Sequence, residues 1–518
     1  VRLPFPGYPS VHLREPPNER CKPKNQELII LITDYEAILQ IKQPWPPEDA
    51  DTQARLQLYE RNAKLFRGQH NQVWQDEVRK LRADKSGDLR IVINFHRLLS
   101  RLWSDMVAGE IPEVADDQDG QLEALKRIIE DNLLWETIQD GVVDYSKNGS
   151  NVLKIRFDGR GIIENVPPKY WYPVVSISNI KQVRAHIIAY TFSDPAEKRK
   201  EISYLKVEIH RPPAEGEESY VIEHRIYRLK SGKIDSEALP LDTFPEFAGL
   251  LPIEPTGLDD FDVIDIQNKP ETDQLIGTDD YTDINSILHE ILMRYAQIFR
   301  IEDKFADPSM YGPPIEEQDP RDGEYRVIGG SRYIAVVEGQ VPPGIIDGRG
   351  PPVTSYTSIE HLMQRLYEVS ETCKVAFDAS QAGTALSGTA LKLMMSRPLS
   401  KAGGIKLRYD ARLKKAIRLC SQMEVYHEMP GAIEITDFQI KWKDGLQQDD
   451  MLDAQRQATL IAAQAMSPQD AMRERGMSEE QIKQAMEDIR GPAIQEPGTA
   501  PKLTLPALGD INGQQAAQ

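Results

Sequence analysis

Two stretches of this sequence place their apolar residues at helical spacing on one side only, and they flank an insert too small for a large core. In the first, Ile284, Ile287, Leu288, Ile291, Leu292, Tyr295, Ile298 and Phe299 form one stripe, with Asn285, Ser286, His289, Glu290 and Gln297 on the other. In the second, the stripe is Ile359, Leu362, Met363, Leu366, Val369, Ser370, Cys373 and Phe377, and the outer face carries Glu360, Gln364, Arg365, Glu368 and Glu371. Residues 300–355 between them hold the strand-like runs YRVIGG and RYIAVVEG among many prolines. An insert of that size needs neighbours to be stable.

The flanking sequence changes period twice. Residues 1–27 are Pro-rich and polar and read as an extended arm, followed by a short apolar segment and the break PWPPEDAD. A helix is expected from Thr52 to Gly68, a short strand leading into a helix over 90–108, and one long helix over 121–147. The last carries Leu122, Leu125, Ile128, Ile129, Leu133, Leu134 and Ile138 on one stripe. The alternation in 151–166 around Asp158-Gly159-Arg160-Gly161 predicts a hairpin, and HIIAYTF, YLKVEIH and YVIEHRIYRL predict further strands. The fold class is therefore α+β, predominantly helical. AIEITDFQIKW (432–442) predicts a strand, residues 451–490 predict two helices, and the final residues predict a disordered tail.

Charge is distributed unevenly. The 62 cationic residues and 81 carboxylates give a formal net charge of −19, which opposes sequence-specific DNA reading. Residues 251–283 carry ten carboxylates against Lys269 alone; their spacing does not match a calcium loop, and a solvated run is expected. Residues 379–423 carry nine cations, Lys392, Arg397, Lys401, Lys406, Arg408, Arg412, Lys414, Lys415 and Arg418, against Asp410. Two readings stand for that stretch: a helix face paired with acidic neighbours such as 251–283 or another subunit, or contact with phosphates. No aromatic residues interleave the cations as a single-strand platform requires. A kink is expected near 396–404, where Pro398 removes a backbone donor and Gly403-Gly404 add freedom.

No catalytic set emerges. Gly383 to Gly388 has the spacing of a phosphate-binding loop, but Thr389 stands where the lysine belongs, and the loop follows a helix rather than a strand. Cys21, Cys373 and Cys420 lie too far apart for a disulfide framework or a metal pair, and HEILM lacks the second histidine of a zinc helix. No cofactor, metal or enzymatic activity is expected. No apolar run approaches membrane-spanning length, and the first residues lack a secretion pattern.

SGTALKLMMSRPLSKAG, preceded by an amphipathic helix and followed by a long basic one, resembles the portal proteins of tailed bacteriophages, particularly those of long-tailed phages. VINFHRLLSRLWSDMVAGEIPEV and VVDYSKNGSNVLKIRFDGRGIIENVPP are similar in pattern, and the likeness spans about residues 51–490. It implies a ring, usually of twelve subunits, at one capsid vertex, through which DNA enters and leaves. After an arm at 1–50, it implies a wing at 51–275, stem helices at 276–299 and 356–377, and a clip at 300–355. A tunnel loop at 378–388, a kinked helix and strand returning to the wing at 389–448, a crown at 449–492 and a tail at 493–518 complete it. The implied site residues are Asp378, Ser380, Gln381, Thr384 and Ser387 in the loop, with Glu360, Gln364, Glu368 and Glu371 lining the channel. Lys392, Arg397 and Lys401 are implied phosphate or inter-subunit contacts. Implied partners are further copies of the chain, double-stranded DNA without sequence preference, terminase, major capsid protein, scaffold and a head–tail adaptor. The implied location is the portal vertex of the virion, after synthesis in the host cytoplasm, with no membrane involved. A structural ring or head–tail adaptor that is not the portal, and a nucleic-acid-dependent NTPase, are the alternatives.

Overall fold

A computed structural model describes residues 32–74, 92–115, 120–305 apart from 196 and 198, 353–377, 388–443 and 457–490 apart from 475, 476 and 478. It also gives the backbone of four short strands within 310–335. Helices and antiparallel sheets alternate along the chain, so the mixed α+β class expected from the period changes is what forms.

The helices of the body are α1 (Ala50–Phe66), α2 (Phe95–Ala108), α3 (Gln121–Asp131) and α4 (Leu134–Asn148). Asp49 caps α1, its side chain accepting from Thr52 N at 2.8 Å. No strand precedes α2 among the described residues 92–94; Asn94 instead caps the helix through Arg97 N at 3.1 Å. The single helix expected over 121–147 is two. Asn132 ends α3 and its side chain bonds back to Ile128 O, while Leu133 takes a left-handed conformation with φ 44°. Leu133 therefore leaves the apolar stripe and is 61% exposed.

Strands β2 (Ser150–Phe157) and β3 (Gly161–Val166) form the expected hairpin, with Gly159 at φ 71° in its turn. β10 (Val263–Gln267) pairs with β2 to complete a three-stranded sheet. A six-stranded antiparallel sheet is built from β4 (Trp171–Ser176), β5 (Asn179–Phe192), β6 (Ile202–Arg211), β7 (Val221–Lys230) and β8 (Lys233–Ile234), with β9 (Ile253–Pro255) also on β7. Its two faces follow from alternation along each strand. Ile187, Ala189, Leu205, Val207, Ile209, Tyr227 and Leu229 point to one side and form a core with Leu39 and Trp45.

Residues 32–49 are thus not a free arm. Val175 N donates to Ile32 O at 2.9 Å and Trp45 N to Gly232 O at 2.8 Å, so the segment straps the apolar face of the six-stranded sheet. The sheet's other face carries a polar seam. Lys154 reaches Glu208 at 2.6 Å, and His210 Nδ1 lies 2.8 Å from both carboxylate oxygens of Asp262. Burial opposes charge on His210, but Asp262 and Glu208 raise its pKa.

The acidic run 251–283 was expected to be solvated, and it is largely folded in. It contributes β9 and β10, because Val263, Ile264 and Ile266 supply apolar side chains to two cores. Asp262, Asp279 and Asp280 are buried with defined partners. Among the described residues no group of three or more His, Cys, Asp or Glu side chains is placed to hold a metal ion.

Residues 447–518 form a second compact unit. Of the two helices expected over 451–490, the first is helical at 457–462 among its described residues, and the second, expected to start at Ser467-Pro468, holds two helices, α9 (Pro468–Glu474) and α10 (Glu479–Arg490). Ser467 caps α9, its hydroxyl accepting from Asp470 N at 3.1 Å with Pro468 at the first helical position. No described helix is long and apolar enough to cross a membrane.

Candidate nucleic-acid interface

The two one-sided helices are α5 (Asn285–Phe305) and α6 (Val353–Val369). Both boundaries differ from the expected 276–299 and 356–377. Asp279 holds a turn ahead of α5, accepting from Tyr281 N at 2.7 Å and Thr282 N at 2.8 Å, so regular helix starts at 285. α6 stops at Val369. Thr372 N donates to Tyr367 O at 2.9 Å while Glu371 turns left-handed at φ 59°, a C-terminal wrap usually made with glycine. Val369 is consequently 40% exposed rather than in the stripe, and Lys374–Phe377 is a separate turn of helix.

The helices pack through their apolar sides. Leu288, Ile291, Leu292 and Ile298 of the first, with Ile284 just ahead of it, join Ile359 and Leu366 of the second in the main core. Asn285, assigned to the wet side, is buried and accepts at Oδ1 from His96 Nε2 at 2.9 Å. On the outer face of α6 and the turn after it, Glu360, Gln364, Arg365, Glu368 and Glu371 are all exposed, as their positions in the stripe pattern predict. Arg365 pairs with Glu368 at 2.5 Å. With Arg365 on Glu368 and Lys401 3.1 Å from Glu371, three carboxylates face two paired cations, and Glu360 is the carboxylate left over on this face. Between the helices, β11 (Met310–Gly312) pairs with β14 (Tyr333–Ala335), and β12 (Glu316–Gln318) with β13 (Tyr325–Val327).

Asp378, Ser380, Gln381, Thr384 and Ser387 lie outside the described residues. The basic stretch that follows is described. α7 (Gly388–Met394) is interrupted at Met395, and α8 (Ser396–Tyr426) then runs unbroken for 31 residues. The kink expected within 396–404 is therefore displaced to Met395. Pro398 sits in the first turn of α8, where a missing N–H costs nothing. Gly403 and Gly404 lie on its exposed side with open space around them.

α8 shows where most of the cations go. Lys401 Nζ lies 2.9 Å from Asp280 and 3.1 Å from Glu371, and only 9% of its side chain is exposed. Lys415 reaches Asp260 at 2.6 Å and Arg418 reaches Asp259 at 3.1 Å. Arg408 donates to Gln267 O at 3.1 Å, and Lys414 pairs with Asp410 at 3.0 Å. The acidic run is thus the partner of the basic helix within one chain, the first of the two readings open from sequence. Lys401 is not presented to a phosphate. Arg397 is exposed and donates to Glu368 O at 3.3 Å; Lys392 is exposed on α7. The expected strand at 432–442 shrinks to β15 (Gln439–Lys441), which pairs with β1 (Glu113–Ala115).

No family model matches this sequence, and no curated protein matches it. Among solved structures the chain is similar to a protein of the virion of a native gene transfer agent particle, at 12% identity over 74% of this chain and 89% of that chain. The TM-score is 0.35, a likeness too slight to carry an argument about what this chain does.

Proposed function

We propose that this chain is a subunit of a ring enclosing a channel for double-stranded DNA, the role of the tailed-phage portal proteins that residues 385–402 resemble. The observation that carries the reading is the order α5, small four-strand insert, α6, then α7 and α8, with an acidic outer face on α6. Head-to-tail copies closing into a ring give each helix pair a second surface to pack against. Twelve helices of about 10 Å diameter side by side enclose a clearance on the order of 30 Å, wide enough for a duplex with little to spare.

Glu360, Gln364, Glu368 and Glu371 are assigned to the channel wall, and residues 378–388 to a loop that narrows it. A wall of that charge releases DNA readily, because each fixed cation would add a salt-dependent binding term. Sliding contact is what a conduit requires. In this role the ring docks a packaging motor and later an adaptor and tail, contacts capsid and scaffold proteins, and hydrolyses no ATP itself.

Imaging the purified full-length chain by negative-stain microscopy tests the reading. Rings with a through-channel are expected. Compact monomers at micromolar concentration, or vigorous ATP turnover, would overturn it.

A further inference from the structure

A cleft of about 680 Å³ opens between α1 and the start of α5. Its described walls include Gln57, Glu60, Arg61 and Lys64 from α1, and Asn285 and His289 from α5. Three observations single it out. Arg61 is half-buried and has no ion-pair or hydrogen-bond partner among the described residues. Asn285 is 94% buried by residue, being 6% exposed, yet its Nδ2 has no hydrogen-bond partner. His289 Nε2 is likewise sealed and unpartnered.

The orientation of Asn285 is set from behind. His70 Nε2 lies 3.1 Å from His96 Nδ1, and His96 Nε2 lies 2.9 Å from Asn285 Oδ1. Burial lowers the pKa of both histidines, that of His96 to about 3, so each ring carries one N–H. Asn285 accepts at its amide oxygen from His96 Nε2. The Asn285 NH₂ group is then left on the cleft wall with hydrogens and no acceptor. A buried donor without a partner is destabilising unless something binds it.

Lys64 is already committed to Glu60 at 2.7 Å, so two cations against one carboxylate leave one excess positive charge, on Arg61. The helix end itself adds no donor: Asn285 N already donates to Tyr281 O at 3.0 Å, and the Asp279 carboxylate takes Tyr281 N and Thr282 N. The donors come from two helices that line one cleft, so they can reach different oxygens of a tetrahedral anion.

We propose that this cleft binds a phosphate group carrying one net negative charge, held by Arg61 and Asn285. The inference is independent of ring formation.

Equilibrium dialysis of the full chain against radiolabelled inorganic phosphate tests it. One saturable site per chain is expected, with a dissociation constant on the order of 1 mM, competed by unlabelled phosphate and not by acetate. Arg61→Gln is expected to weaken binding about tenfold, and Lys64→Gln by no more than about threefold. Asn285→Asp keeps an acceptor for His96 but replaces the free donor with a charge, and is expected to abolish binding. Competition by dimethyl phosphate identifies a phosphodiester source; its failure to compete identifies a free phosphate or monoester, and both support the site. No saturable uptake, equal competition by acetate, or binding unchanged in Arg61→Gln overturns the proposal.

Discussion

Lys401 Nζ sits 2.9 Å from Asp280 Oδ1 in the interior of the body, 4.5 Å above the ring of Trp103. Ser146 Oγ donates to the other oxygen of Asp280 at 2.8 Å, and Lys269 approaches the first at 3.3 Å. The long basic helix, helix α4 and the segment leading into α5 therefore meet at one carboxylate.

Breaking this node from the acidic side is expected to be severe. Asp280→Asn leaves Lys401 buried with Glu371 as its remaining carboxylate, and loss of one member of a buried pair costs about 3–5 kcal/mol. Lys401→Met is expected to cost less, because Lys269 and Ser146 still satisfy Asp280, and the double variant less than the sum of the two. Burial opposes ionisation of Asp280, yet Lys401 and Lys269 hold its pKa below the ordinary 3.8. Its contribution is present above pH 3.8 and is lost as pH falls through the lower folded value. Thermal melts between pH 3 and 7 measure both effects; equal melting of Asp280→Asn and the parent chain at neutral pH would contradict the assignment.

Asp265 on β10 predicts the opposite pH dependence. Gln267 Nε2 donates to Oδ2 at 2.8 Å, but Oδ1 is sealed from water without a partner. Burial pushes the pKa from 3.8 up to about 6, with Gln267 opposing. The unfolded chain then ionises first, so stability falls as pH rises from about 4 to about 6 and is flat beyond, by roughly 2–3 kcal/mol. Asp265→Asn is expected to remove that fall and to melt higher than the parent at pH 7, with little difference at pH 4.

Much of the fold was legible because periodicity reports burial. The hairpin at 150–166, the three long strands and the one-sided helices all followed from spacing. What was not legible depends on distant partners. Asp259, Asp260 and Asp280 read as a solvated run because their cations lie more than a hundred residues away. Asn285 read as wet because nothing local marks His96 as its partner. The break at Leu133 interrupts a run of good helix formers, and only Asn132 hinted at it. Lys401, grouped with Lys392 and Arg397 by sequence, differs from them in one respect sequence does not carry, its side of the helix relative to the body.

Glycines of two kinds make a paired prediction. Gly149 and Gly277 approach each other so closely that a Cβ on either meets the other's carbonyl oxygen, and Gly149 also has φ 80°. Gly277→Ala is expected to destabilise by about 3 kcal/mol or more, since backbone on both sides cannot give way. Gly403 sits in a helix interior with nothing near its missing Cβ. Gly403→Ala is expected to stabilise the isolated chain by about 0.5–1 kcal/mol. Urea denaturation of both variants checks the contrast.

The ion pairs of α8 also bear on DNA affinity. If the net +8 of residues 379–423 were a phosphate-binding face, affinity would fall steeply with salt, each neutralised phosphate adding about 0.9 to the slope of log K against log salt. Lys401, Lys415 and Arg418 are engaged by Asp280, Asp260 and Asp259, so reaching a phosphate means giving up a carboxylate. A slope magnitude of about 2 or less is expected for duplex DNA, measured by fluorescence anisotropy between 50 and 200 mM salt. Lys415→Gln with Arg418→Gln is expected to leave that slope unchanged while lowering the melting temperature. The reverse pattern, a steep slope that flattens in the double variant, would make α8 the DNA-binding element. It would also move the contact proposed for the outer face of α6 to a helix whose cations otherwise hold the body together.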